Sequence, residues 1–251
     1  MDDAAAKAAK FFATDHPAPK REQRLISTRE LLRIVRTNYF DFSKGIRPAV
    51  EKRMGEKLTC TAGCAHCCTA KVFIDFAQGA LIYLELKATG QWTPKMKERL
   101  ETAELGTRGM THAEHYGTPC PLLDKHNKCS AYAARPIACM LTFSIQDPQL
   151  CTIGGGQAQF QVVPEDAHLM HLSAPRDAIG AALGEAGGYG DLLAQLPGAV
   201  LYAAALMEGT PKPDVFILSR DAAAAENGGD RMTQMELVHW IDRQILAQVP
   251  R

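Results

Sequence analysis

The sequence predicts a mainly α fold, an irregular helical domain in which long loops matter as much as the helices. Three observations predict it. Apolar residues recur at helical spacing in several stretches, behind residues that start helices well. Alternating, strand-like stretches are few and short. Eight Cys fall between residues 60 and 151, in a loop-rich middle, while the first 59 and last 100 residues have none.

Taken in order, residues 1–20 are Ala- and Lys-rich, end in His16-Pro17-Ala18-Pro19-Lys20, and read as a mobile arm. Ser27-Thr28-Arg29-Glu30 has the pattern of a capping box ahead of Leu31, Leu32, Ile34 and Val35, so a helix through Thr37 is expected. A second helix is expected from Arg47 to Lys57. Val72-Phe73-Ile74 is short and extended. Asp75 is placed to cap a helix through Leu81, Ile82, Leu84 and Leu86, with Gly90 just past its end. Thr93-Pro94 opens the next helix. A loop-rich region runs from Gly117 to Gly156, and Gln157 to Val163 alternates as a strand does. Pro164-Glu165-Asp166 starts a helix. Asp191 to Met207 reads as helical with a break at Pro197, and Asp221 to Gly229 as a surface loop or helix end. Thr233 to Gln248 gives a final helix with Met235, Val238, Ile241 and Ile245 on one face. No internal repeat is visible. Residues 21–251 are expected to form one domain, with the cysteine-rich core at 60–151.

Composition narrows the function. The chain has 251 residues, 46% hydrophobic and 22% charged, an ordinary globular balance. Lys plus Arg equals Asp plus Glu at 28 each. That lacks the basic excess of a phosphate-gripping protein, so no nucleic-acid partner is expected. Residues 1–58 carry 13 basic and 8 acidic side chains, a solvated face or a docking surface for an acidic partner. The start, Met1-Asp2-Asp3-Ala4, has no apolar signal region. The longest apolar run, Gly198 to Met207, falls well short of the ~20 residues of a spanning helix. The expectation is a cytoplasmic chain with no membrane contact and with reduced thiols. Clustered reduced thiols point to metal binding or redox chemistry.

The first group reads Cys60-Thr61-Ala62-Gly63-Cys64-Ala65-His66-Cys67-Cys68. In a helix this spacing sets Cys60, Cys64 and Cys67 on one face, a local chelate with little loop to close. Thiolates are soft donors suited to zinc or to iron–sulfur clusters. Cys67 and Cys68, as neighbours, point in different directions, so one of them is expected to bind a second metal or remain free. The second group, Cys120, Cys129 and Cys139, with Cys151 beyond, is too widely spaced to chelate locally and depends on the fold. All eight are candidate ligands. Buried, inert cysteine is the alternative, with more weight at Cys68 and Cys151. Arg135 is a candidate donor toward thiolate or sulfide, and His66 and His126 are candidate ligands or supporting donors. His112, His115, His168 and His171 read as surface or internally satisfied residues.

Three motifs together carry a resemblance: the Cys60–Cys68 cluster with its vicinal pair, Cys120-Pro121-Leu122-Leu123, and Cys129-x-x-Tyr132-x-x-Arg135-Pro136-x-x-Cys139. They resemble the CxxCxxCC family of zinc- or iron-chelating proteins, also called the YkgJ family of cysteine-cluster proteins, to which the flagellin lysine N-methylases are similar. The resemblance covers Cys60 to Cys139. Ala131 stands where the family has Ile or Val, and Met140 where it has Arg. The resemblance implies a bound metal, iron–sulfur or zinc; Arg135, Tyr132 and His66 are the candidate cofactor-contacting residues.

These readings combine into a helical domain whose loops are organised around a Cys-ligated metal centre, residues 60–68 giving one half and 120–139 the other. An iron–sulfur cluster is favoured over zinc because short Cys spacings and a Cys-Pro step are common around such clusters. The function expected is redox or protein-modifying, methylase-like, with a protein substrate or redox partner. A structural zinc module is the alternative. Cys60-x3-Cys64-x2-Cys67 also resembles the radical-SAM cluster motif, although a radical-SAM enzyme needs a run of βα units.

Overall fold

The computed structural model describes residues 47–152 apart from 49, 53 and 62, then 160–161, 192–228 and 234–248. The expected arm at 1–20, the helix before Thr37, Gly154-Gly155-Gly156, the helix at Pro164, and His168 and His171 lie outside the described residues.

The fold is mainly α, as the spacing predicts. Helix α1 covers 47–54 and stops at Gly55, earlier than the expected Lys57. Strand β1 (Phe73–Asp75) runs directly into α2 (Phe76–Ala88). Asp75 caps that helix, accepting from the Gln78 amide at 2.8 Å. Every residue of α2 from Phe76 to Leu86 is buried, so it is the central helix and shows no polar face. Helix α3 (Pro94–Thr107) is capped by Thr93 and buries Met96, Leu100, Glu104 and Thr107 along one stripe. Helices α4 (His112–His115) and α5 (Ile137–Met140) are single turns set in the loop-rich middle.

The strand β4 (Leu192–Gln195) and helix α6 (Leu196–Glu208) replace the single broken helix expected from Asp191. Pro197 sits in the first turn of α6, where its missing N–H costs nothing. The Ala-rich face of α6 lies along α2. A Cβ built on Gly79 would stand 2.5 Å from the Ala199 carbonyl oxygen, so only glycine permits this approach. Beyond α6 come β5 (Ile217–Ser219), α7 (Arg220–Glu226) and α8 (Gln234–Gln248). The expected loop at 221–229 is thus largely helical, started by Ser219, whose hydroxyl accepts from the Ala222 amide at 3.2 Å.

The sheet β1–β4–β5 is antiparallel throughout, with Ile74 opposite Ala194 and Leu193 opposite Leu218. A second pair joins β2 (Thr142–Phe143) to β3 (Phe160–Gln161), inside the expected 157–163 strand. Both arrangements differ from the parallel βα run of a radical-SAM barrel. The main core lies between α2, α3 and α6, and the cysteine loops pack on its edge. A smaller core joins Leu193 and Leu218 to Trp240, Ile241 and Ile245 of α8. A third, of Val50, Leu58, Leu141 and Phe143, supports the segment leading into Cys60. No helix among the described residues is long and apolar enough to cross a membrane.

Candidate metal centre

The segment entering the first cysteine group is held by its main chain. Arg47 of α1 donates to the Leu58 carbonyl at 2.6 Å and to the Cys60 carbonyl at 2.5 Å. Glu51 accepts from the Leu58 amide at 3.0 Å. Thr59 and Ser144 are joined through the Thr59 amide at 2.9 Å. The Ser144 amide then donates to the Cys60 sulfur at 3.2 Å.

From Cys60 to Cys68 the chain is not an α-helix. Gly63 has φ of 87°, a left-handed conformation that interrupts any helix there. Only His66–Thr69 forms a 3-10 turn. The expected helical face of Cys60, Cys64 and Cys67 is therefore corrected: any convergence of these sulfurs comes from turns and tertiary contacts. Cys67 and Cys68 sit in the 3-10 turn, and the Cys120 amide donates to the Cys68 carbonyl at 2.7 Å. The same turn packs against a second 3-10 turn, Pro148–Thr152, which carries Cys151. Cys151 is buried, and its carbonyl accepts from the Tyr116 hydroxyl.

The second group is built from two tight loops. Leu123 and Cys129 form an isolated antiparallel bridge, and Ser130 donates its amide to the Leu122 carbonyl at 2.7 Å. The Leu123 amide donates to the Cys120 carbonyl at 3.1 Å and closes the first of these loops. Cys139 lies in α5, whose first amide, Ile137, donates to Gln78 Oε1 at 3.0 Å. Arg99 of α3 holds the Pro121 and Leu123 carbonyls. Leu122, Ala131, Ala134 and Met140 sink into the main core and fix the loops to it.

All eight cysteines are free thiols, Cys151 buried and the others half-buried. Burial pushes the Cys120 thiol up to about 11, and it raises Cys129, Cys139 and Cys60 as well. Cys67 is raised first by a hydrogen bond with Cys68 and then by burial. Neighbouring sulfurs add to the shift: Cys64, Cys67 and Cys151 around Cys60, and Cys120, Cys67 and Cys129 around Cys139. Two cations oppose this: Arg135, which lowers Cys67, Cys129 and Cys139, and Arg99, which lowers Cys120. The net shift at each of these thiols is upward, so burial outweighs the amide and guanidinium contacts, and a metal ion would have to displace the protons.

The donor set therefore fits a thiophilic metal. Among the described residues, no three His, Cys, Asp or Glu side chains are placed to hold a metal ion. Each other candidate has a definite place. The Arg135 guanidinium stacks over the Tyr132 ring at 4.5 Å, and Tyr132 is 54% exposed. His66 opens the 3-10 turn beside Cys67. His126 is exposed on the 124–128 turn, where its amide donates to Asp124 at 2.8 Å. His112 is paired with Asp242 at 2.7 Å, and His115 lies 3.3 Å from the Thr69 carbonyl.

Sequence reasoning missed Arg47, Gln78, Tyr116 and Ser144 as positioning residues. Only Gln78 leaves a signal, as a polar residue in an otherwise apolar helix start, Asp75-Phe76-Ala77-Gln78.

Eight free thiols, an amide directed at the Cys60 sulfur, and the guanidiniums of Arg99 and Arg135 beside the others make a face rich in donors for a thiophilic metal. Residues 59–164 match the model of the CxxCxxCC family, described as "Putative zinc- or iron-chelating domain". The matched segment contains all eight cysteines and supports the binding of zinc or iron. Comparison with curated proteins and with solved structures found no match.

Proposed function

We propose that this face holds an iron–sulfur centre that serves redox or protein-modifying chemistry in the cytoplasm, on a protein substrate or redox partner. The observation that carries the reading is Arg135 stacked on Tyr132 and set among the half-buried thiols Cys67, Cys129 and Cys139. A thiolate-ligated cluster is anionic, and a fixed guanidinium beside it both offsets that charge and tunes its potential. The exposed Tyr132 edge, stacked on Arg135, gives a partner an approach. The resemblance to flagellin lysine N-methylases makes a lysine side chain the first substrate to try.

Structural zinc is the second reading. The tight loop closed by the Leu123–Cys129 bridge and by the Ser130 amide on the Leu122 carbonyl favours it, because short turns that present thiols support single tetrahedral ions. Anaerobic purification followed by metal and labile-sulfide analysis separates the two. A brown protein with matched iron and sulfide supports the cluster. Zinc without sulfide moves the conclusion to the structural module, and a chain that takes up no metal sinks both.

A further inference from the structure

Helix α8 lies outside the segment that matches the family model, yet it grips a turn that steadies the cysteine loops. Trp240, Ile241 and Ile245 join it to Leu193 and Leu218, and Trp240 Nε1 donates to Glu226 at 2.7 Å. These contacts fix α8 to the sheet and to α7. Asp242 reaches a different part of the chain. Its Oδ1 accepts from the His112 amide at 2.9 Å and lies 2.7 Å from His112 Nδ1. One carboxylate oxygen thus holds both main chain and ring at the start of α4. From that turn two side chains reach the cysteine loops. His115 is buried and sets Nδ1 3.3 Å from the carbonyl of Thr69, the last residue of the turn that bears Cys67 and Cys68. The Tyr116 hydroxyl donates to the Cys151 carbonyl in the turn Pro148–Thr152. Lys71 ties the same region from the other side, donating to the Met110 carbonyl and to that of Thr107 at 3.2 Å.

We propose that α8 is a latch on the cysteine face. Asp242 sets the turn at 111–116, and through His115 and Tyr116 that turn sets how open the Cys67–Cys68 and Cys151 turns stand. Helix α4 has four residues, and a single helical turn does not hold its own conformation. Its capping box, Thr111 with Glu114, closes it from within, and Asp242 is the contact from the C-terminal helix. The two cysteine turns are 3-10 turns, whose own hydrogen bonds are few and poorly aligned. They take their position from neighbours, and His115 and Tyr116 are two of these. Releasing Asp242 frees the His112 ring and amide together and lets both cysteine turns open. The use of such a latch rests on the metal-holding reading above, since it governs access to the thiols that would ligate. Its existence is a property of the chain alone.

The test is timed N-ethylmaleimide labelling and amide hydrogen exchange on the reduced, metal-free full-length chain, both read peptide by peptide by mass spectrometry. Asp242→Ala is expected to speed labelling of Cys67, Cys68 and Cys151 about tenfold or more, since two hydrogen bonds to a carboxylate are lost. Labelling of Cys129 and Cys139, which are fixed to the main core and to Gln78, is expected to stay as it was, with exchange in α2 and α6. His112→Phe keeps the amide contact and is expected to give a smaller change in the same direction. Faster exchange confined to α8 and 110–116, with labelling of the three cysteines unchanged, overturns the latch and leaves Asp242 as an anchor of its own helix. Equal acceleration at all eight cysteines with faster exchange in α2 overturns it too, as general loosening. Asp242→Asn decides by the same two measurements where Asp242→Ala does not fold. Zinc and iron uptake by the unsubstituted chain is measured apart from these. Its absence removes the function proposed above and leaves the latch standing.

Discussion

The Cys120 amide donates to the Cys68 carbonyl at 2.7 Å, a main-chain link between the two halves of the cysteine face. This contact needs no metal. It brings the two loops together before any ligand is bound.

Arg47 tests how far that preorganisation matters. Its guanidinium holds the carbonyls of Leu58 and Cys60 and is paired with Glu51 at 3.1 Å. Arg47→Met keeps most of the stem and removes the donors. Metal affinity is expected to fall about tenfold at the Cys60 side, since outer residues that fix ligands have effects of this order. Equilibrium titration with zinc checks it, and an unchanged affinity would refute the positioning role.

Arg135 makes a different prediction. It touches the site through charge, lowering Cys67, Cys129 and Cys139. Arg135→Gln is expected to reduce metal affinity about tenfold or more, and Arg135→Lys to recover part of the loss. A Lys variant no better than Gln would show that stacking on Tyr132, and not charge, is the contribution.

The thiols also set an alkaline limit for the metal-free chain. Burial raises Cys120 from 9.0 to about 11, so the folded state retains a proton that the unfolded chain loses. Stability is therefore intact below pH 9.0 and falls as pH rises toward about 11. The loss from this group is on the order of 1–3 kcal/mol. Urea midpoints at rising pH measure it, and Cys120→Ala is expected to flatten the dependence.

Gly79 provides the scaffold prediction. Gly79→Ala improves helix propensity by roughly 1 kcal/mol but drives a methyl into the Ala199 carbonyl. A net destabilisation of about 2 kcal/mol is expected from this overpacking, measured by denaturant unfolding. A stabilised variant would mean that α2 and α6 separate at little cost.

How much of this was legible in the sequence follows from the range of each cause. Helices α2 and α3 were readable because Asp75, Gly90 and Thr93-Pro94 are local signals, and the caps form as expected. The start of α6 was misjudged because Leu192 to Gln195 has no strand pattern of its own. It is a strand because β1 and β5 flank it. The cysteines identified the metal-binding segment, since residue type and spacing are written in the chain. Their grouping was not legible. It depends on a positive φ at Gly63, on Ser144 reaching Cys60, and on which core each loop packs against. Arg47 and Tyr116 were invisible for the same reason, as each acts on main-chain carbonyls that no side-chain motif announces.

Gln78 ties these levels together. Its amide and side-chain nitrogen both bond Asp75, while its side-chain oxygen receives the Ile137 amide. The start of the central helix and the start of the turn bearing Cys139 thus share one residue. A chain stripped of its metal keeps that reference point, so emptying and refilling the centre is a matter of rearming a template and not of refolding a domain.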